Sequence, residues 1–364
     1  MIRVLQVITH MNRGGLETML MNYYRHMDRT QVQFDFLTHR EYDGDYGEEI
    51  RQLGGKLYHM PILNPFSSSY RKILGEFFDD HPEYKIVHVH QDCLSGVILR
   101  VAKQRGVPVR IAHSHNANQA KDIKYPIKLL FRSFIPKYAT KLMACGEDAG
   151  KWMFHGAPFE ILSNAIPAAD LSFNEEQKRI QREKWGIQPH ELLVGHVGNF
   201  TLQKNHLFLL DIFNEIQKKT AAKLMLVGKK KQWSDVDAKI QALGLQDKVI
   251  LAGARSDVRD LLQAMDVFVF PSLHEGLPLT MVEAQASGLP CLISDKVPIE
   301  CKITEAVQQI SLSESPAIWA ERAIEAVRLP RKNTYEEIKA AGYDIVENAK
   351  RLQKMYEEMM IPYE

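Results

Sequence analysis

The chain has 364 residues, which exceeds one ordinary hydrophobic core and fits two domains of typical size. Its apolar content of 45% and charged content of 25% are those of a globular protein, and a net charge of +1 argues against nucleic-acid binding through bulk charge. The four cysteines show no C-x-x-C spacing, so we expect buried thiols. No apolar run approaches the length of a membrane span, and the N-terminus enters a strand pattern directly, so we expect a cytoplasmic protein.

The first half of the chain alternates strand-like apolar runs with amphipathic segments, which is the pattern of a parallel sheet covered by helices. The predicted strands are Ile2–Ile8, Val32–Leu37, Leu57–Met60, Ile86–His90, Val109–His113, Lys141–Cys145 and Glu160–Leu162. The predicted helices are Glu17–His26, Arg71–Phe78, Leu94–Gln104 and Pro126–Phe134.

A polar stretch, Asn164–Glu183, interrupts this pattern, and we interpret it as an irregular linker. The alternation then restarts, with predicted strands at Leu192–Val197, Lys223–Val227, Val249–Ala252, Val267–Phe270 and Cys291–Ile293. A final helical pattern covers Tyr343–Met359. Two such series predict an α/β protein of two doubly wound domains, with the ligand between them at the carboxyl ends of the strands.

The most informative motif follows the strand Val267–Phe270. Glu275 lies in the predicted strand-to-helix loop, and Glu283 lies eight positions later, in a helix that begins near Leu279. The neighbours of Glu283 are apolar, so this glutamate does not belong to a solvated face. Two acceptors at this spacing suit a long polyhydroxylated ligand whose phosphates lie against the helix N-terminus.

Glycines follow the strands at several places. Gly14 and Gly15 come after the first strand and suit a tight turn or a binding loop equally, since G-x-G-x-x-G is absent. Gly198 opens the turn that leads to Lys204 at a helix start, a setting that suits a diphosphate. Gly228 precedes a lysine run that is more typical of a surface than of a site.

His113 and His115 follow a strand of the first domain, where ligands bind in α/β proteins. A hydrogen bond to a sugar hydroxyl and a structural role are equally compatible with this position. Metal binding is disfavoured, because the pair has no third ligand nearby in the chain. The D-x-D triplet at Asp43 and Asp45 lies in a Gly/Tyr-rich loop and indicates a turn.

The region Arg100–Lys141 is rich in lysine, arginine and aromatic residues, with Asp122 as its one acidic residue. A cationic face beside exposed aromatic rings would suit an anionic membrane or a lipid-diphosphate acceptor. Helices with Lys and Arg outside and Phe inside explain the composition equally well.

Taken together, these motifs resemble the retaining glycosyltransferases of family 4, especially those that build bacterial capsular polysaccharides or exopolysaccharides. The resemblance covers nearly the whole chain. It is carried by Gly14–Glu17, His113–Asn116, Asn164–Ile166, Gly198, Lys204, Asn205, Leu226–Gly228, Glu275 and Glu283.

The resemblance implies the GT-B fold, in which two Rossmann-like domains face each other across a cleft. Residues 1–166 would form the acceptor-binding domain, 167–342 would bind the nucleotide sugar, and the helix at about 343–364 would pack back on the first domain. Transfer would retain the anomeric configuration without a metal or other cofactor.

The resemblance also assigns site residues. Lys204 would contact the donor diphosphate, Glu283 the ribose hydroxyls and Glu275 the donor hexose, while His115, or else His113, would lie near the reacting sugar. The implied catalytic residues are His113, His115, Lys204 and Glu275. The implied donor contacts are Gly14, Gly15, Asn199, Lys204, Gly228, Arg255, Glu275, Gly276, Leu277, Pro278 and Glu283.

One residue departs from the family pattern. Many members carry arginine where this chain has Asn199, so Lys204 and helix amides must neutralise more of the leaving group, unless Arg13 or Lys230 helps.

The expected reaction moves a hexose or N-acetylhexosamine from a nucleotide sugar to a saccharide or lipid-linked saccharide acceptor, and we expect the donor to be UDP-linked. The expected location is the cytoplasm or the inner face of the membrane. Two alternatives stay open: a GT-B-type nucleotide-sugar epimerase or phosphorylase, and an inactive binding subunit that activates a partner transferase.

Overall fold

The computed structural model describes residues 1–116, 125–229, 234–276 and 278–363. The chain divides into two compact units. Unit 1 comprises Met1–Ala165 and Ile345–Glu364, and unit 2 comprises Ile166–Asp344.

In its described residues, unit 1 contains a seven-stranded parallel sheet of order β3-β2-β1-β4-β5-β6-β7. The strands are β1 Ile2–Ile8, β2 Val32–Thr38, β3 Leu57–His59, β4 Ile86–Val89, β5 Val109–Ser114, β6 Lys141–Ala144 and β7 Glu160–Ile161. The helices are α1 Gly15–His26, α2 Gly47–Gln52, α3 Ser68–Asp80, α4 Ser95–Gln104, α5 Tyr125–Arg132, α6 Ile135–Tyr138 and α7 Glu147–Phe154, with a 3-10 turn at Asp92–Leu94.

Unit 2 contains a six-stranded parallel sheet in its described residues, of order β10-β9-β8-β11-β12-β13. The strands are β8 Leu192–Val197, β9 Ala222–Val227, β10 Val249–Gly253, β11 Val267–Phe270, β12 Cys291–Ser294 and β13 Val307–Ile310. The helices are α8 Ala168–Leu171, α9 Glu175–Lys184, α10 His206–Gln217, α11 Ser234–Ala242, α12 Val258–Ala264, α13 Leu279–Ala286, α14 Pro316–Ala326 and α15 Tyr335–Ala340.

Burial explains why the central strands form. All seven residues of β2 and all four of β11 are buried, as expected for parallel strands that are covered by helices on both faces. The order of each sheet reverses at its centre, between β1 and β4 in unit 1 and between β8 and β11 in unit 2. In such sheets the crevice beyond the carboxyl ends of these two strands is the usual ligand site.

The last helix, α16, spans Ile345–Met360 and belongs to unit 1. Its Tyr356 is fully buried, and the tyrosine ring meets the Phe34 ring edge-on at a centroid distance of 6.0 Å. Arg351, on the same helix, pairs with Glu160 of β7 at 2.6 Å. Apolar packing and an ion pair therefore attach α16 to the first sheet.

The prediction of two parallel-sheet α/β domains is confirmed, and the predicted strands agree with the observed ones to within one or two residues. Strand β13 was missed, because two glutamines interrupt its four residues. The interpretation of Asn164–Glu183 as an irregular linker is wrong. The segment contains α8 and most of α9; Asn174 caps α9 by accepting a hydrogen bond from the Gln177 N–H at 2.9 Å.

Helix α9 was missed because it buries few residues, and those are polar. Arg182 is buried, donates to the Asp266 carboxylate at 2.7 Å, and also bonds three backbone carbonyls. The helix is thus held in unit 2 by hydrogen bonds rather than by an apolar stripe.

All four cysteines are buried free thiols, as predicted. Among the described residues, no helix is both long and apolar enough to cross a membrane.

Candidate active site

An ion pair joins the two loops at the centre of the unit 2 sheet. Lys204 Nζ lies 2.7 Å from Glu275 Oε1, and the two side chains are 16% and 6% exposed. The same amine lies 4.4 Å from the centroid of the Phe270 ring, within reach of a cation–π interaction. A cation is therefore held in a poorly hydrated position beyond the ends of β8 and β11.

Further hydrogen bonds hold these two loops together. Asn205 adopts a left-handed conformation with φ of 55° and donates from Nδ2 to the Pro271 carbonyl at 3.1 Å. Gln203 donates to the His274 carbonyl at 2.9 Å and accepts from the Leu273 N–H at 2.8 Å. Lys204 is thus positioned by the residues on either side of it.

Two helices begin at these loops, and both leave their N-termini open to an anion. Helices α10 and α13 have neither a side-chain cap nor an acidic residue in the first turn, whereas α12 carries Asp260 there. Unpaired N–H groups and the helix dipole favour a negative ligand at such ends. Together with Lys204, they make this region of unit 2 suitable for a diphosphate.

Glu283 lies in α13 and is half-buried, as its apolar neighbours predicted. Burial raises the pKa of its carboxyl from 4.5 to about 7. No cation among the described residues pairs with this carboxylate. Glu283 therefore keeps its hydrogen-bonding capacity for a ligand, and its protonation changes near neutral pH.

The Asn199 side chain forms a hydrogen bond between the loop after β8 and the loop after β9. Its Oδ1 accepts a hydrogen bond from the Lys229 N–H at 2.9 Å, and the Gly228 N–H donates to the Gly253 carbonyl at 2.9 Å. A Cβ at Gly228 would collide with the Gly198 carbonyl. These contacts require an acceptor at Asn199 and glycine at position 228.

Arg255 lies two residues beyond β10, the strand beside β9. Its guanidinium binds both oxygens of Asp257 and lies 5.5 Å from the Trp185 ring centroid. Asp257 also raises the pKa of Arg255. Among the described residues, the Arg255 side chain is therefore held by Asp257 and Trp185. A nucleotide base that contacts it would meet the guanidinium in this ion-paired conformation.

The remaining predicted contacts of this loop are partly described. Gly276 is exposed, and Pro278 is the residue immediately before α13. Leu277 and Lys230 lie outside the described residues.

A second pair of histidines near Lys204 was missed by the sequence reasoning. His196 and His206 are buried, with ring centroids 4.8 Å apart, and His206 stacks on Phe200. Burial, and then the charge of Lys204, lower the pKa of His206 to about 4. These rings are therefore neutral, and Lys204 supplies the positive charge of the region.

In unit 1, α1 begins at Gly15, after Gly14 in an extended conformation. A Cβ at Gly14 would collide with the Glu17 carboxylate, which folds back over it and lies 3.0 Å from His10. Gly15 has no atom within 4 Å of its would-be Cβ. A side chain at position 14 would therefore displace the Glu17 carboxylate, whereas Gly15 leaves open space at the helix start.

His113 and His115 are brought together with two histidines that the sequence reasoning did not connect to them. His88 Nε2 lies 3.2 Å from His113 Nδ1, and His90 Nδ1 lies 2.8 Å from His115 Nε2. The signal was present as H-x-H at the ends of two runs predicted as strands. It was missed because the pairing of β4 with β5 is not local in the chain.

Burial holds the pKa of all four histidines below the ordinary value, to about 3 for His88 and His115, so all four are neutral. One ring nitrogen from each of His88, His90 and His113 lies within 4.8 Å of the others, a spacing that a metal could use. The fold thus supplies the further ligands that the chain around His113 lacks. However, nitrogens of these rings already form hydrogen bonds with one another, and those nitrogens would have to give up these bonds to bind a metal.

The Asp43 and Asp45 carboxylates take part in local bonds. Asp43 pairs with Arg51 and with His59, whose Nε2 lies 2.9 Å away, while Asp45 accepts from the Arg13 N–H at 2.9 Å. These contacts are those of a turn before α2.

Several cations of the Arg100–Lys141 region are engaged inside unit 1, whereas residues 117–124 lie outside the described part. Arg105 pairs with Asp79, Lys141 pairs with Glu160, Arg110 bonds backbone carbonyls and Arg132 lies over Trp152. The exposed apolar residues nearby are Ile127, Leu130 and Phe134.

Family models match both halves of the chain. One, described as "Glycosyl transferases group 1", matches residues 177–358, and another, "Glycosyl transferase 4-like domain", matches residues 14–154.

Relatives match over three quarters or more of the chain. The chain is 38% identical to "Putative glycosyltransferase EpsF" of Bacillus subtilis, over 97% of this chain and 96% of that protein. It is 24% identical to the Escherichia coli "UDP-Gal:alpha-D-GlcNAc-diphosphoundecaprenol alpha-1,3-galactosyltransferase", over 77% and 76% of the two chains. It is 23% identical to the capsular polysaccharide biosynthesis glycosyltransferase CapH of Staphylococcus aureus, over 88% and 89%.

The fold is shared with a solved structure of low sequence identity. HepE of Anabaena, solved in complex with UDP, superposes with a TM-score of 0.80 at 15% identity, over 98% of this chain and all of that one. Given the two family models, the EpsF-like relative and this fold, the chain belongs to the group 1 glycosyl transferases and has the GT-B fold.

Proposed function

We propose that the protein moves a hexose or N-acetylhexosamine from a UDP-sugar to a saccharide or lipid-linked saccharide, with retention of the anomeric configuration. The observation that carries this proposal is the Lys204–Glu275 pair at 2.7 Å, beside two uncapped helix starts and the half-buried Glu283. This arrangement supplies a cation and N–H groups for a diphosphate and carboxylates for hydroxyls.

The chemistry requires stabilisation of a departing diphosphate. In the proposed complex, Lys204 exchanges part of its interaction with Glu275 for a phosphate oxygen, while the first N–H groups of α10 and α13 bind other oxygens. Preorganised donors in a poorly hydrated place stabilise developing charge without reorganisation during the reaction. Because the Asn199 side chain is uncharged, the amine of Lys204 would supply the main cationic contribution.

Similarity supports UDP as the nucleotide and a surface polysaccharide as the product. The E. coli relative is named for UDP-Gal and for a diphosphoundecaprenol acceptor, CapH for capsular polysaccharide synthesis, and HepE was solved with UDP. Glu283 would accept hydrogen bonds from the ribose hydroxyls. His113 or His115 would bind sugar hydroxyls in unit 1.

Retention would proceed without a dedicated carboxylate nucleophile. Glu275 is the acidic side chain that the motif places next to the donor sugar, and its carboxylate is bound to Lys204. The departing phosphate would then help to deprotonate the acceptor hydroxyl.

The test measures transfer by the purified chain. UDP-glucose, UDP-galactose and UDP-N-acetylglucosamine are each incubated with a lipid-linked saccharide, and UDP release and the product anomer are followed, the latter by NMR. Release of UDP with an α-linked product supports the proposal. Sugar phosphate formed only with inorganic phosphate would indicate a phosphorylase, and activity only with a second protein would indicate a binding subunit.

We also propose that transfer needs no metal. Asp43 and Asp45, the D-x-D pair, are bound to Arg51, His59 and a backbone N–H. We therefore expect EDTA to leave turnover unchanged. Complete loss of turnover that manganese restores would contradict this part of the proposal.

A peripheral membrane contact is a further part of the proposal. Ile127, Leu130 and Phe134 are exposed in or beside α5, and Arg100 and Lys137 are exposed in the same region of the chain. Apolar and cationic groups together favour anionic lipid surfaces. The protein should sediment with phosphatidylglycerol vesicles and not with phosphatidylcholine vesicles, and Leu130→Gln should weaken the sedimentation. Equal sedimentation of the wild-type and Leu130→Gln proteins with phosphatidylglycerol vesicles would contradict the proposed membrane contact.

A further inference from the structure

Two buried residues, Gln6 and Tyr356, connect the four histidines of unit 1 into one hydrogen-bonded network. Gln6 Nε2 lies 3.3 Å from Tyr356 Oη, which lies 2.8 Å from His88 Nδ1, and His88 continues to His113. These atoms form the first branch of the network. Its residues come from β1, β4, β5 and α16, so the tertiary fold alone brings them together.

The second branch starts from the other end of the same amide. Gln6 Oε1 lies 2.9 Å from His90 Nε2, and His90 Nδ1 lies 2.8 Å from His115 Nε2. Each neutral imidazole has one N–H and one bare nitrogen, so each bond fixes the next one. The low pKa of these buried rings makes the neutral form the relevant one.

The first branch can be followed proton by proton. The Gln6 N–H donates to Tyr356 Oη, and the tyrosine hydroxyl then donates to His88 Nδ1, the remaining partner it has among the described residues. His88 therefore carries its proton on Nε2 and donates to His113 Nδ1. As a result, His113 keeps an N–H at Nε2.

The second branch ends with the opposite character. The Gln6 carbonyl oxygen can only accept, so His90 carries its proton on Nε2 and its Nδ1 accepts from His115 Nε2–H. His115 is left with a bare Nδ1. His113 Nε2 and His115 Nδ1 are both buried without a partner among the described residues, and the two ring centroids are 4.1 Å apart.

We propose that Gln6 and Tyr356 are positioning residues that hold all four histidines in the Nε2–H tautomer, so that His113 offers a donor and His115 an acceptor to a polyhydroxylated ligand. A hydroxyl group both donates and accepts, so a sugar can satisfy both nitrogens, and leaving buried polar atoms unsatisfied is unfavourable. The choice of a sugar as the ligand rests on the proposed function, whereas the tautomers do not.

The network has one alternative state. Rotation of the Gln6 amide by half a turn reverses every bond, moves the proton of all four rings to Nδ1 and exchanges the donor and acceptor ends. Because the bonds are linked, the tautomer of one histidine determines those of the other three. This all-or-none behaviour distinguishes a positioning network from four independently packed rings.

The experiment reads the tautomers directly in the ligand-free full-length protein. Two-bond ¹H–¹⁵N correlation spectra of ¹⁵N-histidine-labelled protein separate Nε2–H, Nδ1–H and doubly protonated rings, with assignment by single His→Gln variants. We expect neutral Nε2–H patterns for His88, His90, His113 and His115. An Nδ1–H pattern or a cationic ring at neutral pH for any of the four in the wild-type protein would overturn the assignment.

Tyr356→Phe tests the origin of the order. His88 and His113 should lose their single tautomer, because the hydroxyl that links them to Gln6 is gone. The control is Tyr23→Phe, which removes another buried tyrosine hydroxyl, bonded to the Ser163 carbonyl at 2.7 Å, outside the network. Unchanged His88 and His113 signals in a folded Tyr356→Phe protein would overturn the positioning role.

The ligand part has its own readout. Adding glucose, N-acetylglucosamine or UDP-glucose should shift the His113 and His115 nitrogen signals, and Tyr356→Phe should lower kcat/KM for sugar transfer about two- to tenfold with UDP affinity unchanged. If the four histidines have the assigned tautomers but none of these probes shifts the His113 and His115 signals, the proposal that they bind a polyhydroxylated ligand is overturned. If the probes shift these signals but the wild-type protein transfers no sugar, the binding site is supported and only the proposed reaction is contradicted.

Discussion

The Lys204 ammonium and the Glu275 carboxylate are joined by a 2.7 Å ion pair across 71 residues of chain. The pair is mostly shielded from water, with Glu275 being the more buried partner. Removal of one partner from such a pair leaves the other charge poorly solvated. In the proposed donor complex, a diphosphate that reaches Lys204 would therefore compete with Glu275 for the amine.

Lys204→Met should lower sugar-transfer turnover by about 100- to 1000-fold, because in the proposed reaction this amine is the main cation that stabilises the leaving group. Steady-state kinetics with a UDP-sugar measure this. Lys239→Met is the matched control. Lys239 also forms an ion pair, with Asp211 at 2.6 Å, but this pair does not belong to the two loops. Wild-type turnover in Lys204→Met would remove this lysine from the reaction.

The double variant Lys204→Met/Glu275→Gln should be more stable to urea than Lys204→Met alone. The single change leaves the Glu275 carboxylate buried without its cation, and the second change removes that charge. Equal unfolding midpoints for the two variants would show that Glu275 is solvated in the absence of Lys204.

Glu283 should make the ligand-free protein less stable as the pH rises from about 4.5 to about 7. The native carboxyl has a raised pKa, so over this range the folded state binds more protons than the unfolded state, and stability falls with pH. Glu283→Gln should therefore stabilise the protein at pH 8 by at most about 3 kcal/mol and have little effect below pH 4.5. Urea unfolding across this pH range measures the difference, and Glu314→Gln, at an exposed glutamate, is the control.

The same carboxylate should make UDP binding dependent on pH. If ionised Glu283 accepts hydrogen bonds from the ribose, affinity should fall as the pH drops from 8 to 6, and Glu283→Gln should bind more weakly with a flat profile. Calorimetric titrations with UDP measure both. A wild-type pH profile that persists in Glu283→Gln would assign the titration to another group.

Asn199 offers two substitutions that separate packing from charge. Asn199→Ala loses the acceptor for the Lys229 N–H and should lower the free energy of unfolding by about 1 kcal/mol. Asn199→Asp keeps that acceptor but adds a negative charge, so it should retain its stability and bind UDP more weakly. Unweakened UDP binding by Asn199→Asp would place the diphosphate away from this loop.

Much of the fold and part of the site could be predicted from local patterns. Apolar runs such as Val267–Phe270 identify buried strands, and the Glu275–Glu283 spacing locates a loop and helix start that the structure contains. The pattern failed where burial was small or polar, as in α9 around Arg182. A polar helix held by hydrogen bonds has no apolar period to reveal it.

The amino-acid order by itself determined which side chains follow each strand, because strand, turn and helix signals are local. Only the tertiary structure decided which of those ends are neighbours. The pairing of β4 with β5 placed His88 and His90 beside His113 and His115. The packing of α16 against the first sheet brought Tyr356 to His88. The reason is physical: parallel pairing and helix docking join segments far apart in sequence, and so the charge, tautomer and partner of each group depend on contacts that no local pattern encodes.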